Sequence, residues 1–220
     1  MKNLNFPLYH GTSSLFINKI KESGLGGFNP IEYYKVIELL KELEILADTH
    51  LYDSSEWIHV AGNPLSTKPI VSRITSQTER HWQHGEVFLT SSLNTAIGYS
   101  NKSKFGSEAF TVTFALLELL KKHNVYIENK IFDLYSNLIS LSDKEYFPVI
   151  FKIENLPIKF LKCGEKGETI EKLINSREIE INVIKSKCEA EEADDYIKDL
   201  VTNFRLLKSI PFSKIEQVYL

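Results

Sequence analysis

The chain has 220 residues, with 26 Lys+Arg against 29 Asp+Glu and a formal net charge of −3. At 43% hydrophobic and 11% aromatic residues it carries enough apolar surface for a sizeable core, which excludes wholesale disorder, and the near balance of charge argues against a dedicated binder of the nucleic-acid backbone. Its two cysteines, Cys163 and Cys188, have no metal-type spacing, which argues against a disulfide framework and a cysteine-built zinc site and for a reducing compartment.

The elements follow in chain order. Leu8-Tyr9-His10 reads as a strand end. Ser13 or Ser14 then caps a helix with Phe16, Ile17 and Ile20 inward, and Gly24 stops it. Asn29-Pro30 opens a second helix, whose apolar stripe runs through Ile31, Tyr34, Ile37, Leu40, Leu43 and Leu46 or Ala47. Residues 48–84 read as a long loop or small inserted subdomain, crowded with Trp57, His59, Arg73, Arg80, His81, Trp82 and His84. Gly85 to Thr90 reads as a strand, and Ser91 or Ser92 caps a helix from Leu93 to Ser100.

Helices are expected over 108–122 and 131–142, and a central strand over Tyr146 to Ile153. Ser176 to Ile184 alternates, with Glu178, Glu180 and Asn182 on one face and Ile179, Ile181 and Val183 on the other, which predicts a half-buried strand. Glu189 to Asp195 opens an amphipathic helix expected to bury Tyr196, Ile197, Leu200, Val201, Phe204 and Leu207. A turn at Ile210-Pro211 and a last strand from Ile215 to Leu220 close the chain. The mixed order of strands and helices predicts an α+β fold. The N-terminus has no apolar run of signal-peptide length, and Phe110 to Leu120 is too short to span a bilayer and carries Glu118. The reading is a soluble cytoplasmic protein with no membrane partner, a secreted effector not being excluded.

The phrase LYHGTSSLFINKIKESGL places a histidine at a strand end, followed by glycine, a helix and Gly24-Leu25. It resembles the opening motif of the ADP-ribosyltransferase superfamily, in the branch shared with poly(ADP-ribose) polymerases and diphtheria toxin. The match takes in Leu8, His10, Gly11, Thr12, Ile20 and Gly24-Leu25. Gly85 to Tyr99 is similar to the family's second motif, a strand, a turn and a helix with small residues and a tyrosine. The strand tyrosine of that motif is replaced here by Val87 or Phe88. The ending, Ser209 to Val218, is similar to the Ile-Pro turn and last strand of many bacterial members.

The resemblance implies a split antiparallel core of two small sheets, in one domain over 1–220 with insertions at about 29–84 and 100–145. It implies NAD as substrate. His10 would hold a ribose, the adenosine-side or the nicotinamide one, and Gly11 main-chain groups the carboxamide. Thr12 belongs to the same phrase. Tyr99 would stack on nicotinamide, Thr95 would help hold the carboxamide, and Phe88 would form an apolar wall. A glutamate on a late strand, Glu178 or Glu180, would stabilise the oxocarbenium-like transition state as a carboxylate does in glycoside hydrolysis.

The implied activity is mono-ADP-ribosylation of a macromolecular acceptor, protein or nucleic acid. A toxin or defence role, with an inhibitory antitoxin as partner, comes with the kind of family rather than from residues. Two other readings compete: an NAD-using RNA 2′-phosphotransferase, and a catalytically inactive module that binds NAD or ADP-ribose. Lys68, Arg73 and Arg80 could grip phosphates, and Trp57 and Trp82 could stack on bases. The six histidines show no metal-ligand spacing, so no metal is expected.

Overall fold

The computed structural model describes residues 2–62, 85–102, 104–164 and 169–219. The roles considered for Lys68, Arg73, Arg80, His81, Trp82 and His84 lie outside the described residues. The chain forms two compact units, one from residues 1–28, 86–106 and 146–220, the other from 29–85 and 107–145.

The first unit holds the sheet. Its strands are β1 (Leu8–Ser13), β2 (Phe88–Thr90), β3 (Pro148–Ile153), β4 (Leu161–Cys163), β5 (Asn203–Leu206) and β6 (Glu216–Val218). They form one six-stranded sheet in the order β4-β5-β2-β1-β3-β6, and every pairing is antiparallel. The class is therefore α+β. In place of two small sheets there is one, but its middle is thin. β1 and β3 pair along the whole of β1, whereas β1 and β2 share the single register pair Tyr9–Thr90.

Local chemistry explains the entry to this unit. Ser13 caps a 3-10 turn over Ser14–Phe16 by accepting from the Leu15 N–H, and α1 (Ile17–Ser23) follows. Phe16 and Ile20 are buried, and Gly24 ends the helix at φ 81°, a conformation that glycine adopts without penalty. After β2, the Ser92 hydroxyl accepts from the Thr95 N–H at 3.0 Å and opens α5 (Leu93–Lys102). Ala96 and Ser100 form the buried face of this helix, which packs on β1 and β3.

Two expectations from the sequence are overturned. Residues 176–184 are not a strand but the middle of a long helix, α9 (Ile170–Lys187), capped by Thr169. Burial falls at Ile170, Leu173, Ile174, Arg177, Glu178, Ile181 and Ile184, a period near 3.6. The strict alternation after Arg177 is real but is not the pattern that decides. Two of its three inward residues, Ile179 and Val183, stand exposed. The following helix, α10 (Ala190–Asp199), does not run on to Leu207. Leu200 turns extended, and Phe204 enters the core from β5, between outward neighbours Asn203 and Arg205.

The second unit is helical among the described residues. Asn29 accepts from the Ile31 N–H and Pro30 occupies the first turn of α2 (Pro30–Tyr33). Lys35 at φ 53° then breaks the run before α3 (Val36–His50). The break resets the helical phase, so Val36 and Leu39 are buried where Ile37 was expected. α4 (Ser55–Gly62), α6 (Glu108–Lys122), α7 (Asn129–Leu134) and α8 (Ser136–Ile139) complete it. α3 packs on α6, joining Leu40 and Leu43 to a core with Phe110 and Leu120. Trp57 is buried and donates its indole N–H to Asp48 at 3.1 Å, so it is an anchor rather than a base-stacking surface.

Candidate functional site

The phase of the hydrogen-bond ladder decides where the main-chain groups of β1 point. Ser14 N–H donates to the Phe147 carbonyl at 3.0 Å. Alternation then turns Thr12, His10 and Leu8 toward β3, and Tyr9, Gly11 and Ser13 toward β2. Pro148, which has no N–H, lies opposite Ser13, consistent with that phase. On β2, Ser91 N–H donates to Thr202 and Leu206 N–H to Val87, so Phe88 and Thr90 turn toward β1.

Gly11 and Phe88 would therefore form the next hydrogen-bonded pair after Tyr9 and Thr90. They do not pair, and the ladder toward β2 ends one step short. The Phe88 carbonyl is taken instead by His10 Nδ1 at 2.9 Å. A carbonyl only accepts, so Nδ1 carries the proton and Nε2 keeps its lone pair. Enclosure by protein lowers the pKa of His10, and the Phe88 carbonyl only partly offsets this. The result is a neutral imidazole of fixed tautomer beside a main-chain N–H and C=O that have no ladder partner.

Gly11 itself was expected to admit a ligand close to the main chain. The space that its missing Cβ leaves is filled by α5: a methyl group there would overlap the Ala96 carbonyl and lie 3.0 Å from Ser100 N. The glycine is needed for helix-on-sheet packing, and the gap faces the in-plane N–H and C=O rather than the Cβ direction. Thr12 is buried on β1.

Phe88 is 44% exposed and Tyr99 61% exposed. Tyr99 and the half-buried Thr95 ride on α5, the helix that Gly11 admits. Thr95 and Tyr99 thus ride on the helix that packs against the Gly11 face of β1, whereas alternation puts the His10 side chain on the other face, where its ring meets the Phe88 carbonyl in the plane of the sheet.

Glu178 and Glu180 do not share a strand face. Both lie on α9, Glu178 half-buried and Glu180 exposed. Glu180 accepts from Arg177 at 3.2 Å. The role assigned to them from a common strand face falls with that face. The late strand that borders β2 is β5, and its residues are Asn203, Phe204, Arg205 and Leu206. Asn203 stands opposite Thr90. No protein-family model, curated protein or solved structure matches this chain.

Sequence reasoning missed Arg177. Its side chain is 2% exposed, and its guanidinium donates to Ser91 and Thr202 hydroxyls at 2.9 and 2.6 Å. Ser91 in turn donates to the Leu200 carbonyl at 2.8 Å and Ser92 to the Lys198 carbonyl at 2.7 Å. These bonds hold α9 and the end of α10 to the starts of α5 and β5. The signal that could have found Arg177 is its place in the helical series Ile174, Arg177, Ile181, Ile184.

Proposed function

We propose that the chain is an NAD-dependent mono-ADP-ribosyltransferase, with NAD seated where β1 and β2 part. The observation that carries this reading is the interrupted ladder at Gly11 beside the tautomer-locked His10. A carboxamide offers one acceptor and two donors, the complement of a free main-chain N–H and C=O. His10 Nε2 is a hydroxyl acceptor, suited to a ribose. Tyr99 supplies an exposed ring for stacking, and Phe88 an apolar wall. Departure of nicotinamide then leaves an oxocarbenium-like sugar carbon for an acceptor nucleophile.

A second reading is favoured by one observation: β5 carries Asn203 and no glutamate. An amide can hold a ribose hydroxyl but brings no charge to a developing cation, so transition-state stabilisation is smaller. On that reading the chain binds NAD or ADP-ribose without transferring it.

Calorimetry with NAD, alongside nicotinamide release, separates the two. Transfer predicts binding and release together, both reduced about tenfold or more in His10→Ala. Binding without release supports the module reading. Absence of both sinks the site. Glu178→Ala with Glu180→Ala is expected to leave release near wild type; a loss of a hundredfold or more would restore the carboxylate role.

A further inference from the structure

The β4-β5-β2 half of the sheet joins the β1-β3-β6 half through the single register pair Tyr9–Thr90. α5 crosses this join: it leaves the end of β2 and lies on β1 and β3. The direction of α5 therefore bears on how β2 stands against β1. The space at Gly11 holds the middle of α5, at Ala96 and Ser100. Two points set the direction of a rigid helix, and the second is the turn at Ser91 and Ser92.

Arg177 holds that turn. Its guanidinium, 2% exposed, donates to Ser91 Oγ at 2.9 Å and to Thr202 Oγ1 at 3.1 Å from Nε and 2.6 Å from Nη2. Ser91 and Thr202 also bond each other: Ser91 N–H donates to the Thr202 carbonyl at 3.0 Å, and Thr202 N–H to Ser91 Oγ at 2.9 Å. One residue on, Ser92 Oγ accepts from the Thr95 N–H and opens α5. The planar fork of an arginine reaches two hydroxyls in one fixed geometry. Stability gives a poor reason for it. Burial disfavours the charge, and Glu180, the one acid paired with it among the described residues, is 53% exposed and screened by water. Buried ionic groups can often be replaced by well-packed apolar residues at little loss of stability, and what they supply in some proteins is one arrangement rather than another.

We infer that Arg177 is a positioning residue. By fixing where β2 turns into α5 it sets the β1–β2 seam, and through the seam it places the Phe88 carbonyl against His10. Its effect on ligand binding rests on the NAD reading; its effect on the seam does not.

The test compares amide exchange within the sheet with ligand binding. Arg177→Met combined with Thr202→Val removes the donor and an acceptor together and should keep the urea midpoint near that of wild type. The two amides that span the seam, Tyr9 and Thr90, should then exchange at least about tenfold faster, while those of His10 and Thr12, which face β3, stay as they were. The imidazole nitrogen resonances of His10 should move from a protonated Nδ1 toward a mixture of tautomers. NAD affinity should fall about tenfold. Arg177→Lys, which keeps the charge without the fork, should show the same selective loss. Unchanged exchange at Tyr9 and Thr90 overturns the inference. So does acceleration spread evenly over β1 in step with a lower urea midpoint, the mark of an arginine that only stabilises. NAD affinity unchanged in a variant with a loosened seam overturns the link to the site. If wild type binds no NAD, the NAD reading falls, while the exchange and tautomer signals still decide the role of Arg177.

Discussion

At the scale of single residues, His10 and Gly11 carry the most consequence. Folded His10 protonates less readily than a free imidazole, because burial disfavours the charged form. The unfolded chain therefore takes the proton first as pH falls. The contribution of His10 to stability is present above about pH 6.5 and is lost as pH drops below it. Urea unfolding at pH 7.5 and 5 should show wild type losing more stability on acidification than His10→Gln. An equal loss in both would mean that the imidazole is not the group responsible. Gly11→Ala meets main chain rather than a flexible side chain. It should cost about 3 kcal/mol, read as a lower urea midpoint at constant slope.

At the scale of elements, α9 is the decisive case. If residues 176–184 formed a strand, Ile179 would face inward; in α9 it faces out while Ile174 is buried. Ile179→Asp should thus change stability by no more than about 0.5 kcal/mol, whereas Ile174→Ala should cost about 3 kcal/mol. The reverse order would revive the strand. The same element shows why the sequence was hard to read there. Glu178 to Val183 alternates cleanly, yet the residues that settle the matter, Thr169 as cap and Ile174, Arg177 and Ile181 at helical spacing, include an arginine on the buried side. A pattern count treats that arginine as polar, although its hydroxyl partners Ser91 and Thr202 come from far along the chain. β5 was hidden for the same kind of reason. Val201, Phe204 and Leu207 continue the helical spacing of α10, and only pairing with β2 and β4 makes 203–206 a strand.

At the scale of the whole chain, the legible parts were those whose cause is local. Ser13, Gly24, Asn29, Pro30 and Ser92 each act on the next turn of chain, and each does what its chemistry dictates. So was the grouping of His10, Gly11 and Phe88, whose contacts follow from two strands. The acid expected on a late strand was not legible, because it rested on the periodicity of α9. The sheet order also gives a prediction that no local pattern contains. Three strands, β4, β5 and β2, meet three others, β1, β3 and β6, through one register pair. Hydrogen exchange at Gly11 should be fast for a residue in the middle of a sheet, at least about a hundredfold faster than at His10 or Thr12, whose amides face β3. Protection of Gly11 equal to theirs would mean that the seam is closed.

That seam gives the centre of the sheet the chemistry of an outer edge. Unpaired N–H and C=O groups on a strand are a template on which another extended segment can add, and exposed ones are a known route to unwanted association between chains. Proteins guard true edges with charge, proline or a covering loop. Here the guard is an imidazole: by holding the Phe88 carbonyl, His10 occupies one of the groups that a foreign strand would need. The residue proposed to meet a ribose is thus also what keeps the seam from recruiting a stray strand, and its loss would leave the molecule stickier.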